Sequence, residues 1–380
     1  MNICIISPGY PAPGRHEYTF VEQIVIEFAK LGHDITVIAP QSISNNLIRN
    51  KSSVPYKRES KINNHKITII APKYLSLGKF TNKIPFFKES FNKVVYRTLK
   101  KLNFIPDLLY GHFWRSGYAA YKFSKQFSIP LFIASGESVI DWSINKKKTS
   151  EFIKKINGVI CVSTKNKNES IQKIGIETEK CIVIPNAINN EVFYKKDKTI
   201  SRKNLGFQEN DFIISFIGWF INRKGANRVA EAITKLNNDN IKSIFIGKSV
   251  NNQEEFSPNC QNILFKGPVP HNDINDFLNA SDIFVLPTLK EGCCNSIIEA
   301  MACGLPIISS DRDFNYDILN HENSLLINPE DSDEIAEAIK NLYENPEKRN
   351  QMSSASLRYS KDLNIQSRAN KIINFMLSKF

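Results

Sequence analysis

The sequence predicts an α/β protein made of two doubly wound domains. Three observations carry this. Short β-rich apolar runs alternate with segments of helical period, the pattern of parallel βαβ units. The chain has 380 residues, more than one ordinary core accommodates. Two such alternating series flank a polar, lysine-rich stretch at 190–203. Hydrophobic content of 42% with 23% charged residues lies near the globular average and excludes wholesale disorder.

The first series opens with a β-rich run at 3–7, stopped by the turn residues Pro8 and Gly9. A helix is predicted from about 17 to 31, because Phe20, Ile24 and Phe28 recur on one face. Gly32 supplies its C-cap, and 35–39 is the next strand. Further strands are predicted at 67–71, 108–110, 131–135, 159–162 and 182–186. The second series begins with a strand at 212–217, a basic loop at 218–225 and a helix at 226–236. Strands at 243–246, 262–267, 283–287, 306–309 and 324–327 follow. Helices are predicted at 296–302, 333–343 and 347–358. The organisation expected is a first domain at 1–192, a linker at 193–203, a second domain at 204–358 and a C-terminal helix at 359–380 packing back on the first domain. Ligands of doubly wound sheets bind beyond the carboxyl ends of the strands, so two facing domains should hold the site in the cleft between them.

No apolar run approaches the roughly 18 residues of a spanning helix. The amino terminus reads as a first strand and not as a signal peptide. Seven cysteines scattered among hydrophobic segments do not form a disulfide framework, and a cytosolic location is expected. Net charge is +12, unevenly spread. Residues 1–192 hold 28 basic and 14 acidic side chains, while the remainder holds 22 and 24. Residues 49–101 alone carry 14 basic side chains against Glu59 and Glu89. Such asymmetry points to an anionic partner for the first half, a membrane or a nucleic acid. On a helix from Pro85, Phe87, Phe91, Val94, Val95 and Leu102 share a face flanked by Lys88, Lys93, Arg97 and Lys100. That pattern fits an interfacial helix on anionic lipid, or equally a stripe packed on the first sheet with its lysines in solvent.

Two constellations carry chemistry. Glu291-Gly-Cys-Cys-Asn-Ser-Ile-Ile-Glu299 follows the strand at 283–287 and runs into a helix. The backbone amides of Gly292, Cys293, Cys294, Asn295 and Ser296 would lie at a helix N-terminus, where phosphate oxygens are held. Glu299, about one turn into the helix, would accept hydrogen bonds from a ribose diol, and Glu291 would lie across the loop. The second constellation, Gly218-Trp-Phe-Ile-Asn-Arg223-Lys224-Gly225, places two cations before a helix, which suits a diphosphate. It does not match the phosphate loop of ATPases. The pairs Asp311/Asp313 and Asp331/Asp333 read as loop and N-cap, and no Cys-x2-Cys occurs, so no metal site is expected.

These residues, together with CIVIPNAINNEVF and YPAPGRHEYTFVEQIVIEFAKLGHDITVIAP, resemble the family 4 glycosyltransferases over residues 1 to about 350. The resemblance implies the GT-B fold: two Rossmann-like domains with the active site between them. Glu291 and Glu299 match the family's Glu-x7-Glu pair, and Lys224 matches the lysine that contacts donor phosphates. Trp219 stands where the family usually carries arginine, and Arg223 is expected to replace that cation. The family's N-terminal glycine pair is reduced to Gly14. Its His-Gly appears as Ser135-Gly136, while His112 keeps a histidine where relatives often have one. Gly218 and Gly267 complete the donor-binding set.

The implied activity is transfer of a sugar from a UDP- or GDP-linked donor, with retention, to a growing glycan or lipid-linked acceptor. Lys224, Arg223 and the helix amides would stabilise the departing diphosphate, Glu291 would orient sugar hydroxyls, and His112 joins the catalytic set. No cofactor is expected beyond the nucleotide-sugar substrate, and no nucleic acid partner. The expected location is cytoplasmic, peripheral on the inner face of the membrane. A nucleotide-sugar epimerase of the same fold and a basic nucleic-acid-binding protein are the rival readings.

Overall fold

The computed structural model describes residues 1–13, 17–44, 53–76, 85–140, 146–250 and 254–380, with backbone only at 85–88 and 146–148. The chain forms two units, Met1–Ile184 with Ile365–Phe380, and Pro185–Asn364.

The apolar runs of the first unit become an eight-stranded sheet. Its strands are β1 (Asn2–Ile6), β2 (Asp34–Ile38), β4 (Lys57–Ile62), β5 (His65–Ile70), β7 (Leu108–His112), β8 (Leu131–Ser135), β9 (Ile156–Cys161) and β10 (Cys181–Val183). The short pair β3 (Gln41–Ser42) and β6 (Lys73–Tyr74) stands apart. The order is β10-β9-β8-β7-β1-β2-β5-β4, parallel except for the β4–β5 pair. Every residue of β7 and β8 is buried, as a sheet covered on both faces demands. Helix α1 (Thr19–Lys30) turns Val21, Ile24, Val25 and Phe28 inward, and Phe28 meets Tyr110 of β7 edge-on at 6.1 Å. Strand β4 was not foreseen. Its residues KRESKI show no apolar alternation, because β4 is a mostly exposed edge paired antiparallel to β5. Asn63 and Asn64, with φ of 48° and 68°, make the two-residue turn.

Helices α2 (Pro85–Leu99), α3 (Trp114–Phe127), α4 (Lys146–Lys155) and α5 (Thr164–Glu169) complete the crossovers. In α2, Phe91, Val95 and Leu99 are in the core of the unit, with Leu102 packed against it, while Lys93, Arg97 and Lys100 are exposed. The apolar stripe is therefore not a membrane-inserting face; only its basic flank meets solvent. The side chains of Phe87 and Lys88 lie outside the described residues.

In the second unit the six strands are β11 (Phe212–Ile217), β12 (Ile241–Ile246), β13 (Ile263–Gly267), β14 (Ile283–Leu286), β15 (Ile307–Ser310) and β16 (Ser324–Ile327). All are parallel, in the order β13-β12-β11-β14-β15-β16. Counted from β11 this is the 3-2-1-4-5-6 order of dinucleotide-binding sheets, and β11 and β14 flank the switch point. The helices are α6 (Lys198–Leu205), α7 (Ala226–Leu236), α8 (Ile274–Ala280), α9 (Asn295–Ala302), α10 (Ser332–Glu344) and α11 (Pro346–Ser360). Asp331 caps α10 by accepting from the amides of Asp333 and Glu334. The segment 193–203 is not a free linker. Phe193 is buried, α6 packs on α8, and the unit boundary falls at 184/185. Asp197 caps α6 and Arg202 pairs with Asp282 at 2.8 Å, contacts that a polar composition does not reveal. Helix α12 (Ile365–Leu377) belongs to the first unit and packs on α1.

Candidate active site

The loops after β11 and β14 meet at the switch point of the second sheet. Gly225 precedes α7 with φ of 80°, and a Cβ there would lie 2.5 Å from Arg228 Nη2 and 2.8 Å from the Pro287 carbonyl, so glycine is required. Arg228 is buried and binds the two loops together. Its Nη2 donates to Pro287 O (2.9 Å), Nη1 to Asn222 O (3.0 Å) and Nε to Pro329 O (2.6 Å). The amide of Leu289 donates to Arg223 O at 2.8 Å, and Thr288 Oγ1 lies 3.2 Å from the same oxygen. These bonds set the basic loop against the acidic one.

Glu291 receives both cations. Its Oε1 lies 2.5 Å from Arg223 Nη1 and 2.6 Å from Lys224 Nζ, and Thr288 Oγ1 donates to it at 3.0 Å. Side chains of Lys224 and Glu291 are 11% and 12% exposed, against 34% for Arg223, so the inner pair is shielded from water. Burial pushes the Glu291 carboxyl up, but Lys224, Arg223 and the hydrogen bonds from Lys224 and Thr288 outweigh it and hold it below the usual range. For Lys224, burial favours the neutral amine, yet Cys294, 3.8 Å away, and Glu291 prevail and raise it. The ammonium is charged despite its burial.

The connector Gly292–Cys293–Cys294 is buried and leads into α9. Asn186 fixes it, donating from Nδ2 to Cys293 O (3.0 Å) and Asn295 Oδ1 (2.8 Å), and Ser296 Oγ donates to Ile217 O at 3.3 Å. The Cys294 side chain does not cap α9. One turn on, buried Glu299 meets His271, whose Nε2 is 3.2 Å from Oε1. Gly218 follows β11 and Gly267 ends β13. Trp219 is 46% exposed, and Lys248, just past β12, stands over its ring at 5.7 Å.

The family model described as Glycosyl transferases group 1 matches residues 197–358, and that described as Glycosyltransferase Family 4 matches residues 19–192. The chain is a family 4 glycosyltransferase. The putative teichuronic acid biosynthesis glycosyltransferase TuaC of Bacillus subtilis is 28% identical over 370 residues, covering 89% of this chain and 88% of that protein. An Escherichia coli UDP-Gal:alpha-D-GlcNAc-diphosphoundecaprenol alpha-1,3-galactosyltransferase is 26% identical, covering 64% of this chain and 68% of its own. Among solved structures, sucrose-phosphate synthase from Thermosynechococcus elongatus superposes with a TM-score of 0.76 at 18% identity, over 99% of this chain and 98% of that one. Anabaena HepE in complex with UDP gives 0.73 at 16% identity, over 99% of each. The fold is GT-B.

In this glycosyltransferase, then, Arg223, Lys224 and Glu291 form one cluster, and Gly292–Ser296 and Glu299 follow on the connector and α9. His112 belongs to the other unit, at the end of β7. Its ring contacts Phe20 and Phe113, and burial, with Arg368, pushes it down to about 3. Gly14 lies outside the described residues. Sequence reasoning missed Arg228, Asn186, His271 and Lys248. Asn186 stands inside the IPNAIN segment, but nothing local marks the other three, whose partners Pro329, Glu299 and Trp219 lie 101, 28 and 29 residues away respectively. It also missed Glu137, half-buried at the carboxyl edge of the first sheet, where the amides of Trp114 (2.8 Å) and Gly136 (3.0 Å) donate to it.

Proposed function

We propose that this glycosyltransferase moves a sugar from a UDP- or GDP-linked donor to a growing glycan or lipid-linked acceptor, with retention of anomeric configuration and without a metal ion. The observation that carries the reading is the Arg223–Lys224–Glu291 cluster at the switch point, continuous with the helix that holds Glu299. The bond from the anomeric carbon to the diphosphate oxygen breaks while the acceptor oxygen bonds on the same face of that carbon. The acceptor's proton passes to the departing phosphate oxygen. Charge growing on the diphosphate is met by Lys224, Arg223 and the amides at the start of α9, groups already in place before the reaction. A shielded ammonium acts more strongly here than it would in water.

Glu291 orients sugar hydroxyls, and Glu299 accepts those of the ribose. Gly218 and Gly267 let the donor approach the backbone. His112 is uncharged near neutrality, and its Nδ1 has no partner among the described residues. It therefore serves as a hydrogen-bonding group toward a hydroxyl, not as a cationic acid. Two features of relatives support a nucleotide donor: the UDP-galactose in the name of the Escherichia coli enzyme and the UDP bound by HepE. The diphosphoundecaprenol in that same name, and teichuronic acid in that of the Bacillus protein, support a lipid-linked or polymeric acceptor.

Such an acceptor brings the enzyme to a membrane. The exposed Lys93, Arg97, Lys100 and Lys122 of the first unit suit the anionic inner leaflet, each worth about 1 kcal/mol near the surface. No helix among the described residues is long and apolar enough to cross a membrane. A cytoplasmic, peripheral location with no nucleic acid partner completes the proposal; Phe91 packs inward and offers no stacking platform. Hydrolysis of a panel of UDP- and GDP-sugars, with the released sugar's anomer read by NMR, tests it. Release of the inverted anomer, or turnover that requires a divalent ion, would refute the mechanism.

A further inference from the structure

His271 reaches Glu299 from outside both motifs of the donor site. It opens the turn His271–Asp273 after β13, and its imidazole is 43% exposed beside the 8% exposed carboxylate. On its other side Phe193, fully buried, meets the ring at 5.0 Å and 74°. The imidazole is thus held between an aromatic wall and Glu299 Oε1. The hydrogen bond with Glu299 raises it above its ordinary value although burial opposes this, which favours Nε2 as the donor.

The terminal torsion of a glutamate is soft, and an unrestrained carboxylate loses that freedom when a ligand binds. We infer that His271 is a positioning residue for the donor nucleotide: its Nε2–H holds Glu299 Oε1 and turns Oε2 to the ribose hydroxyls. This rests on the proposed ribose role of Glu299. The rotamer is fixed at folding, not at binding, so His271 contributes to ribose selectivity and not to diphosphate affinity.

Calorimetric titration of the full chain with UDP, GDP and their 2′- and 3′-deoxy forms tests the inference, in wild type, His271→Ala, His271→Gln and Glu299→Gln. Wild type should prefer the ribonucleotide of its better base by about tenfold or more over at least one deoxy form. His271→Ala should reduce that ratio to about threefold or less and leave the affinity for the deoxy form nearly unchanged. His271→Gln, whose amide can donate to the same oxygen, should keep most of the preference. In turnover the donor KM should rise while kcat holds. A preference lost in Glu299→Gln but intact in His271→Ala overturns the role of His271 alone. If wild type shows no ribose preference, the ribose role of Glu299 fails and the inference with it.

Discussion

Replacing Glu291 by glutamine removes one charge and leaves its shape, and the structure dictates the result. Oε1 neutralises Lys224 at 2.6 Å and Arg223 at 2.5 Å. Removing one partner of a buried pair typically costs about 3–5 kcal/mol. Arg223 is a third exposed and can turn to water, so the loss should lie near the lower end, about 3 kcal/mol. For a unit of this size each kcal/mol moves the melting temperature by about 2–4 °C, which gives a fall of about 6–12 °C. Scanning calorimetry of the full chain in phosphate-free buffer reads it. The folded carboxyl is held below its ordinary value, so its contribution is complete above about pH 4.3. It is lost as pH falls through the lowered value, and the two melting curves should converge there. Inorganic pyrophosphate should then stabilise the variant more than wild type, because it meets two cations without competition from Glu291. A melting temperature within about 2 °C of wild type, or pyrophosphate that favours wild type, would show that the cluster does not hold the loops together.

Lys224→Ala should abolish most of the preference for nucleoside diphosphate over monophosphate, measured by titration with UDP and UMP; an unchanged ratio refutes the phosphate assignment. His112 should show no protonation shift between pH 5 and 8 in its imidazole NMR signals, since burial holds it near 3; a midpoint in that window would refute the packing described for its ring. Co-sedimentation with anionic vesicles should be salt-sensitive and should fall at least a hundredfold when Lys93, Arg97 and Lys100 are changed to glutamate, from about 1 kcal/mol per lysine. Equal binding to neutral vesicles would remove the membrane from the proposal.

The sequence by itself determined the parallel βαβ series and the two motifs that meet at the switch point of the second sheet, because strand, turn and helix are each written in contiguous residues. Thus the strand at 212–217, the loop to Gly225 and the helix at 226–236 occur where their periodicity and turn residues place them. It did not determine β4, whose exposed residues carry no hydrophobic period, nor that the polar segment 193–203 packs within the second unit. For the Phe91 stripe it left two readings open, since an apolar face fits a lipid surface as well as a neighbouring core. Only the tertiary structure decided that Phe91, Val95 and Leu99 point inward. Only it brought Arg223 and Lys224 onto the same oxygen of Glu291, from 67 or more residues away, and set His271 on Glu299. The physical reason is the same in each case. A side chain's partner is fixed by which strands become neighbours, and that order, β11 beside β14, is a property of the folded sheet and not of any local run of residues.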